Sequence, residues 1–212
     1  MIYVKILIYG DSNTWGQVPD VNGYSKDAII KRYPLTKIWW YELSKSHEVI
    51  VNGLSGRAIN NDNPWLDGRN AMKTLKNDLE DVNNIDLLII QLGTNDCKSR
   101  YNLTEDEITL QMRQLIHELK KILDCEVILL SPALIKEGNR ITDKFYRGGE
   151  DKSRKLTTSY SKLANELNIG FVSALECQIG EDGEHLTEEG HKMLSKKVLS
   201  FINKRYNKNS KR

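Results

Sequence analysis

The stretch ILIYGDSNTWG, residues 6–16, runs four hydrophobic residues straight into Gly10, Asp11, Ser12 and Asn13. An apolar run that stops at residue 9 against such turn-formers reads as a buried strand with its end fixed in the sequence. Including that first strand at 3–9 (YVKILIY), five segments have this character, the others being 48–52 (EVIVN), 86–92 (DLLIIQL), 126–131 (EVILLS) and 169–173 (IGFVS). The third and fourth are apolar enough to be covered on both faces, as strands of a parallel sheet are.

Between the strands the hydrophobic period lengthens to that of a helix. Ile108, Met112, Leu115, Ile116, Leu119, Ile122 and Leu123 make one stripe, and Thr104-Glu105-Asp106-Glu107 supplies a capping box ahead of it. A last helix carries Leu194, Val198, Phe201 and Ile202, opened by Thr187 as N-cap with Glu188 and Glu189 at the positive end of the dipole. Further helices are expected over about 36–46, 70–82 and 153–167. Strands alternating with helices imply βαβ units, a mostly parallel sheet and an α/β fold.

Composition excludes several classes. Hydrophobic residues at 39% and charged residues at 28% fit a globular chain rather than a disordered or membrane-embedded one. With 31 basic against 29 acidic residues the net charge is +2, so no overall field favours nucleic acid. Lys204, Arg205, Lys208, Lys211 and Arg212 make only the end locally basic. No apolar run approaches the roughly 18 residues of a membrane span, and Met1-Ile2-Tyr3-Val4-Lys5 lacks the pattern of a secretory leader. A cytoplasmic protein is expected, with one domain over 1–206 and a basic tail at 207–212. Cys97, Cys125 and Cys177 have no C-x-x-C spacing and read as ordinary thiols.

In an open parallel sheet, ligands bind beyond the carboxyl ends of the strands. Gly10-Asp11-Ser12-Asn13, Gly53-Leu54-Ser55-Gly56-Arg57 and Gly93-Thr94-Asn95-Asp96 follow the first three strands, and Asp182-Gly183-Glu184-His185 follows the fifth. One rim thus gathers a hydroxyl, an amide and an Asp/His pair, the parts of an acyl-transfer site. A serine hydroxyl is a weak nucleophile until an imidazole takes its proton, and a carboxylate must fix the imidazole's tautomer. Ser12, His185 and Asp182 can fill those roles. Backbone N–H groups of Ser12 and Gly56 and the Asn95 amide are candidate donors to the oxyanion of the tetrahedral intermediate. Asp11 and Asp96 read as turn residues, and Gly10 as the residue that lets the chain turn.

Four blocks in order, GDS at 10–12, NGLSGR at 52–57, GTND at 93–96 and DGEH at 182–185, resemble the SGNH or GDSL-type hydrolases. The resemblance implies a flavodoxin-like three-layer α/β/α fold with a five-stranded parallel sheet of order 2-1-3-4-5. It also implies Ser12 as nucleophile, His185 as base, Asp182 as its orienter, and Ser12, Gly56 and Asn95 as the oxyanion hole, with no metal and no cofactor. Asn13 stands where these proteins often have leucine. GDSNTWG, NGLSGR with Asp62 and Pro64 downstream, and GTNDCK are similar to the aryl esterase and acyltransferase branch. That branch implies short acyl esters as substrates, Trp15 and Trp65 as pocket walls, and long loops suited to a homo-oligomer.

Other readings of the same residues stand beside these. Ser12 could serve only as a helix cap, and Asn95 only to stabilise its loop. His191 with Asp182 raises a metal alternative, although no further ligand is evident. Ser55 in GLSG approaches a nucleophile elbow, but Arg57 breaks the G-x-S-x-G pattern. His47 and His117 read as exposed, and Trp39, Trp40 and Tyr41 as core or interface. A lysophospholipase or thioesterase with the same machinery is the enzymatic alternative, and a non-catalytic binding module the non-enzymatic one.

Overall fold

The computed structural model describes residues 3–23 and 29–209. In chain order it comprises β1 (Lys5–Gly10), α1 (Ser12–Trp15), a 3-10 turn (Leu35–Lys37), α2 (Tyr41–Ser44), β2 (Glu48–Gly53), α3 (Ala71–Asp78) and β3 (Leu87–Gln91). Two 3-10 turns, Asn95–Cys97 and Ser99–Tyr101, lead to α4 (Glu105–Ile122), β4 (Glu126–Leu130), α5 (Arg140–Phe145), α6 (Gly149–Glu166), β5 (Gly170–Val172) and α7 (Glu188–Asn209).

All strand pairs are parallel and the order is β2-β1-β3-β4-β5, as the four blocks implied. Because successive side chains point to opposite faces, the sheet divides its apolar residues between two cores. Leu7, Tyr9, Leu88, Ile90, Val127 and Leu129 meet α3, α4 and α6 on one face through residues such as Leu75, Met112, Leu115, Leu156 and Leu163. Ile6, Ile8, Leu87, Ile89, Ile128 and Leu130 meet α2 and α7 on the other, against Leu43, Leu194, Val198 and Ile202. These are the three layers of an α/β/α fold.

The helix signals operate as local chemistry requires. Thr104 Oγ1 accepts the Glu107 N–H at 3.2 Å while the Glu107 carboxylate accepts the Thr104 N–H at 2.8 Å, closing the capping box. Thr187 Oγ1 accepts the Gly190 N–H at 3.1 Å and so caps α7. Asn70 caps α3, its side chain accepting from the Lys73 N–H at 3.3 Å.

Three stretches differ from expectation. The helix over 36–46 is broken into the 3-10 turn and α2, because the Trp39 and Trp40 indoles are drawn into the core between them. Trp39 Nε1 donates to Gln91 Oε1 at 3.1 Å and Trp40 Nε1 to the Thr14 carbonyl at 2.9 Å. The long connection 132–151 contains α5, capped by Asn139 through the Ile141 and Thr142 N–H groups. α7 continues through residues 207–209 of the expected tail, and residues 210–212 lie outside the described residues.

Candidate active site

The rim is assembled from the ends of β1, β2 and β3 and from the loop before α7. Gly10 pairs with Gly53 on one side and Gln91 on the other. A Cβ on Gly10 would lie 2.1 Å from Thr14 Oγ1 and 2.9 Å from the Gln91 carbonyl, so the glycine is required by close packing and not by a turn of positive φ. Asp11 then caps α1, its Oδ1 accepting the Asn13 N–H at 2.9 Å. Burial pushes the Asp11 carboxyl up to about 6, against the pull of that hydrogen bond.

Ser12 follows, buried, with its hydroxyl 2.9 Å from His185 Nε2. The opposite ring nitrogen, Nδ1, is 2.7 Å from Asp182 Oδ2. Asp182 Oδ1 also accepts the Glu184 and His185 N–H groups at 3.2 and 3.1 Å, and Oδ2 accepts the Asp20 N–H at 3.0 Å. The structure therefore joins Ser12, His185 and Asp182, 173 and 3 residues apart, in one continuous line. With Asp182 accepting from Nδ1–H, Nε2 carries a lone pair aimed at the hydroxyl, and a proton can pass from oxygen to ring.

The electrostatics support that direction. Burial works against an imidazolium at His185, but the charges of Glu184, Asp182 and Asp11 and the Asp182 hydrogen bond outweigh it, and the pKa rises above the usual 6.5. Burial likewise works against the Asp182 carboxylate, yet its bonds to His185 and the backbone hold its pKa below the usual range.

The loop bearing the pair is shaped by its neighbours. Gly183 has φ +81°, and a Cβ there would lie 2.5 Å from the Lys136 carbonyl and 2.5 Å from Asn139 Nδ2. Lys136 N–H donates to the Gly183 carbonyl at 2.8 Å. The 132–151 connection thus buttresses the loop that carries Asp182 and His185.

Gly56 adopts φ +82° beside the end of β1, where the Leu54 N–H donates to the Gly10 carbonyl at 3.1 Å. Asn95 Nδ2 donates to the carbonyl of the next residue, Arg57, at 3.0 Å, bringing the second and third blocks into contact. Trp15 lies under the Arg32 guanidinium at 5.2 Å from its ring. Trp65 is 69% exposed, with the Arg100 guanidinium 4.7 Å from its ring.

Several residues act here without having been singled out for it. Asn13 uses both ends of its amide: Nδ2 donates to the Glu184 carbonyl at 3.1 Å and Oδ1 accepts the Leu186 N–H at 2.9 Å, which pins the backbone on either side of His185. Arg57 is buried and donates to the Gly10 and Asn52 carbonyls at 3.0 and 2.7 Å while stacking 4.1 Å from the Tyr9 ring. Lys98 is buried and donates to Asn95 Oδ1 at 2.8 Å. Glu184 accepts a hydrogen bond from the Tyr146 hydroxyl.

Other expectations resolve plainly. Asp96 is a turn residue whose Oδ1 accepts the Ile59 N–H at 2.9 Å and an Asn61 amide hydrogen at 2.8 Å. Cys97 is buried in the core, and burial pushes its thiol pKa far up. Ser55 donates to Gln17 Oε1 at 3.0 Å. His117 is exposed, but His47 is buried at the end of α2, a correction that follows from the chain folding back toward β2. His191 lies inside α7 with its ring edge-on to Tyr33, centroids 5.4 Å apart. Among the described residues no group of three or more His, Cys, Asp or Glu side chains is placed to hold a metal, and no helix is long and apolar enough to cross a membrane.

Comparison with known proteins accords with the geometry. The M. smegmatis aryl esterase superposes with a TM-score of 0.83 at 30% identity, covering 93% of this chain and 99% of that one. Est24, a carbohydrate acetylesterase from Sinorhizobium meliloti, gives 0.79 at 28% identity over 93% and 100% of the two chains. A putative arylesterase from Agrobacterium tumefaciens gives 0.74 at 26% identity over 93% and 99%. No curated protein matches the sequence significantly. The profile of the GDSL-like lipase/acylhydrolase family matches residues 8–193, nearly the whole of the sheet and its rim. The chain belongs to that family, and it is a carboxylic ester hydrolase.

Proposed function

We propose that the protein is a serine esterase that cleaves short acyl esters, of the acetyl type, through a covalent acyl-enzyme. Ser12 Oγ attacks the ester carbonyl while His185 Nε2 takes its proton, and Asp182 stabilises the imidazolium. The oxyanion is received by the backbone N–H groups of Ser12 and Gly56 and by Asn95 Nδ2. Collapse expels the alcohol, which leaves with the proton from His185. Water then attacks the acyl-enzyme, gives its proton to His185, and the acid departs as Ser12 recovers its hydrogen.

The observation that carries this reading is the unbroken line from Ser12 to His185 to Asp182, at 2.9 and 2.7 Å. Preference for short acyl groups is supported by similarity to an aryl esterase and a carbohydrate acetylesterase. Trp15 and Trp65 wall the substrate pocket in this reading. The enzyme is one domain whose last helix runs on to residue 209, and its three free cysteines fit a reducing compartment such as the cytoplasm.

The test is hydrolysis of p-nitrophenyl esters of increasing chain length by wild type and Ser12→Ala. Loss of activity in the variant and a maximum at acetyl are expected. Equal rates in the two proteins would end the serine mechanism, and a maximum on long chains would move the assignment to a lysophospholipase or thioesterase.

A further inference from the structure

The Asn95 amide is held at both ends. Oδ1 meets Lys98 Nζ at 2.8 Å, and Nδ2 meets the Arg57 carbonyl at 3.0 Å. An ammonium can only donate and a carbonyl oxygen can only accept, so these partners fix which end of the amide is which. One Nδ2 hydrogen goes to Arg57, and among the described residues none accepts the second.

Lys98 is an unusual residue to find here. It is 5% exposed, and burial pushes its ammonium pKa below the ordinary range, opposed chiefly by the Glu184 carboxylate. Its Nζ lies 5.5 Å from the centre of the Tyr146 ring, and the Tyr146 hydroxyl donates to Glu184. Glu184 is 2% exposed and adjoins His185 in the chain. A buried charge is costly unless it is paired and hydrogen-bonded. This set of groups leads from the oxyanion side of the rim to the base side.

We propose that Lys98 is a positioning residue for ester hydrolysis, which sets and polarises the Asn95 amide so that its free N–H is presented to the oxyanion, with Glu184 and Tyr146 holding Lys98 there. The proposal rests on the reading of Asn95 as an oxyanion donor. An ammonium on the amide oxygen draws electron density from the nitrogen and strengthens its N–H as a donor, most where charge develops. Lys98 touches no substrate in this account. Its effect therefore belongs in kcat rather than KM.

A double-mutant cycle on p-nitrophenyl acetate tests this with Lys98→Met, Asn95→Ala and the pair. Removing an oxyanion donor costs on the order of 100-fold in kcat, and losing only its polarisation should cost about 10-fold with KM little changed. In the Asn95→Ala background, Lys98→Met should then cost less than about 2-fold, because the residue through which it acts is gone. A full 10-fold loss in that background would overturn the proposal, as would an unchanged kcat in Lys98→Met. Ser12→Ala separates this from failure of the parent reading: if Ser12→Ala is inactive and Asn95→Ala is slowed on the order of 100-fold while Lys98→Met is normal, the esterase assignment stands and Lys98 is dismissed. Should Lys98→Met not fold, Lys98→Met/Glu184→Gln, which withdraws both charges, replaces it against Glu184→Gln as its reference in the same cycle.

Discussion

Asn13→Leu puts the clamp on His185 to the test. Asn13 is 1% exposed, and leucine can neither donate to the Glu184 carbonyl nor accept from the Leu186 N–H. Each buried backbone group left unpaired costs about 1–3 kcal/mol, for a gross loss of about 2–6 kcal/mol. The extra apolar surface of leucine returns about 1 kcal/mol, leaving a net destabilisation of about 3 kcal/mol. For a chain of this size that corresponds to a fall in Tm of about 6–12 °C, read by thermal unfolding. The lost bonds lie on either side of His185, so the imidazole shifts relative to Ser12, and kcat on p-nitrophenyl acetate should fall by about 10-fold or more. A variant that melts with the wild type and retains its kcat would refute the argument that Asn13 places the base.

In the proposed mechanism only neutral His185 takes the serine proton, and its pKa is raised, so the pH dependence of kcat/KM should show an acid limb with its midpoint above 6.5. Glu184 is the largest of the charges that raise it, so Glu184→Gln should move that midpoint to lower pH; an unmoved limb would contradict the assignment. His191 has the opposite linkage. Burial lowers its pKa from 6.5 to about 3, so the unfolded chain binds a proton that the folded one does not, and the stability it contributes is present above 6.5 and lost as pH falls toward 3. His191→Leu should therefore remove up to about 1.4 kcal/mol per pH unit of acid sensitivity in that window, measured by urea unfolding, and an unchanged slope would count against a buried neutral ring.

The sheet was legible because its signals are local and repeated. Runs such as DLLIIQL announce a strand covered on both faces, and Thr104 with Glu107 announces a helix start, whatever surrounds them. Ser12, Asn95, Asp182 and His185 could be singled out because the fold class sends strand ends to one rim. What escaped was tertiary. Asn13 contacts Glu184 and Leu186 across more than 170 residues, and nothing near Asn13 in sequence signals that clamp. Arg57 and Lys98 are buried although charged, and the Gly10 carbonyl and Asp78 carboxylate that meet Arg57, like the Glu184 charge that favours the Lys98 ammonium, lie far from them in the sequence. α5 has only six residues, and its single apolar pair, Ile141 and Phe145, is too short to announce a helical period, so the Asn139 cap that starts it is not read from the sequence alone. The helix over 36–46 failed because two tryptophans gained more by reaching Gln91 and Thr14 than by continuing a regular turn.

The central claim is that Ser12 is a nucleophile activated by His185. A fluorophosphonate, which captures activated serines without requiring turnover, tests it most directly when the modified peptide is mapped by mass spectrometry. The account predicts one stoichiometric label at Ser12, absent in Ser12→Ala and strongly slowed in His185→Ala. A label at another residue, or labelling of Ser12 at an undiminished rate without His185, would contradict it.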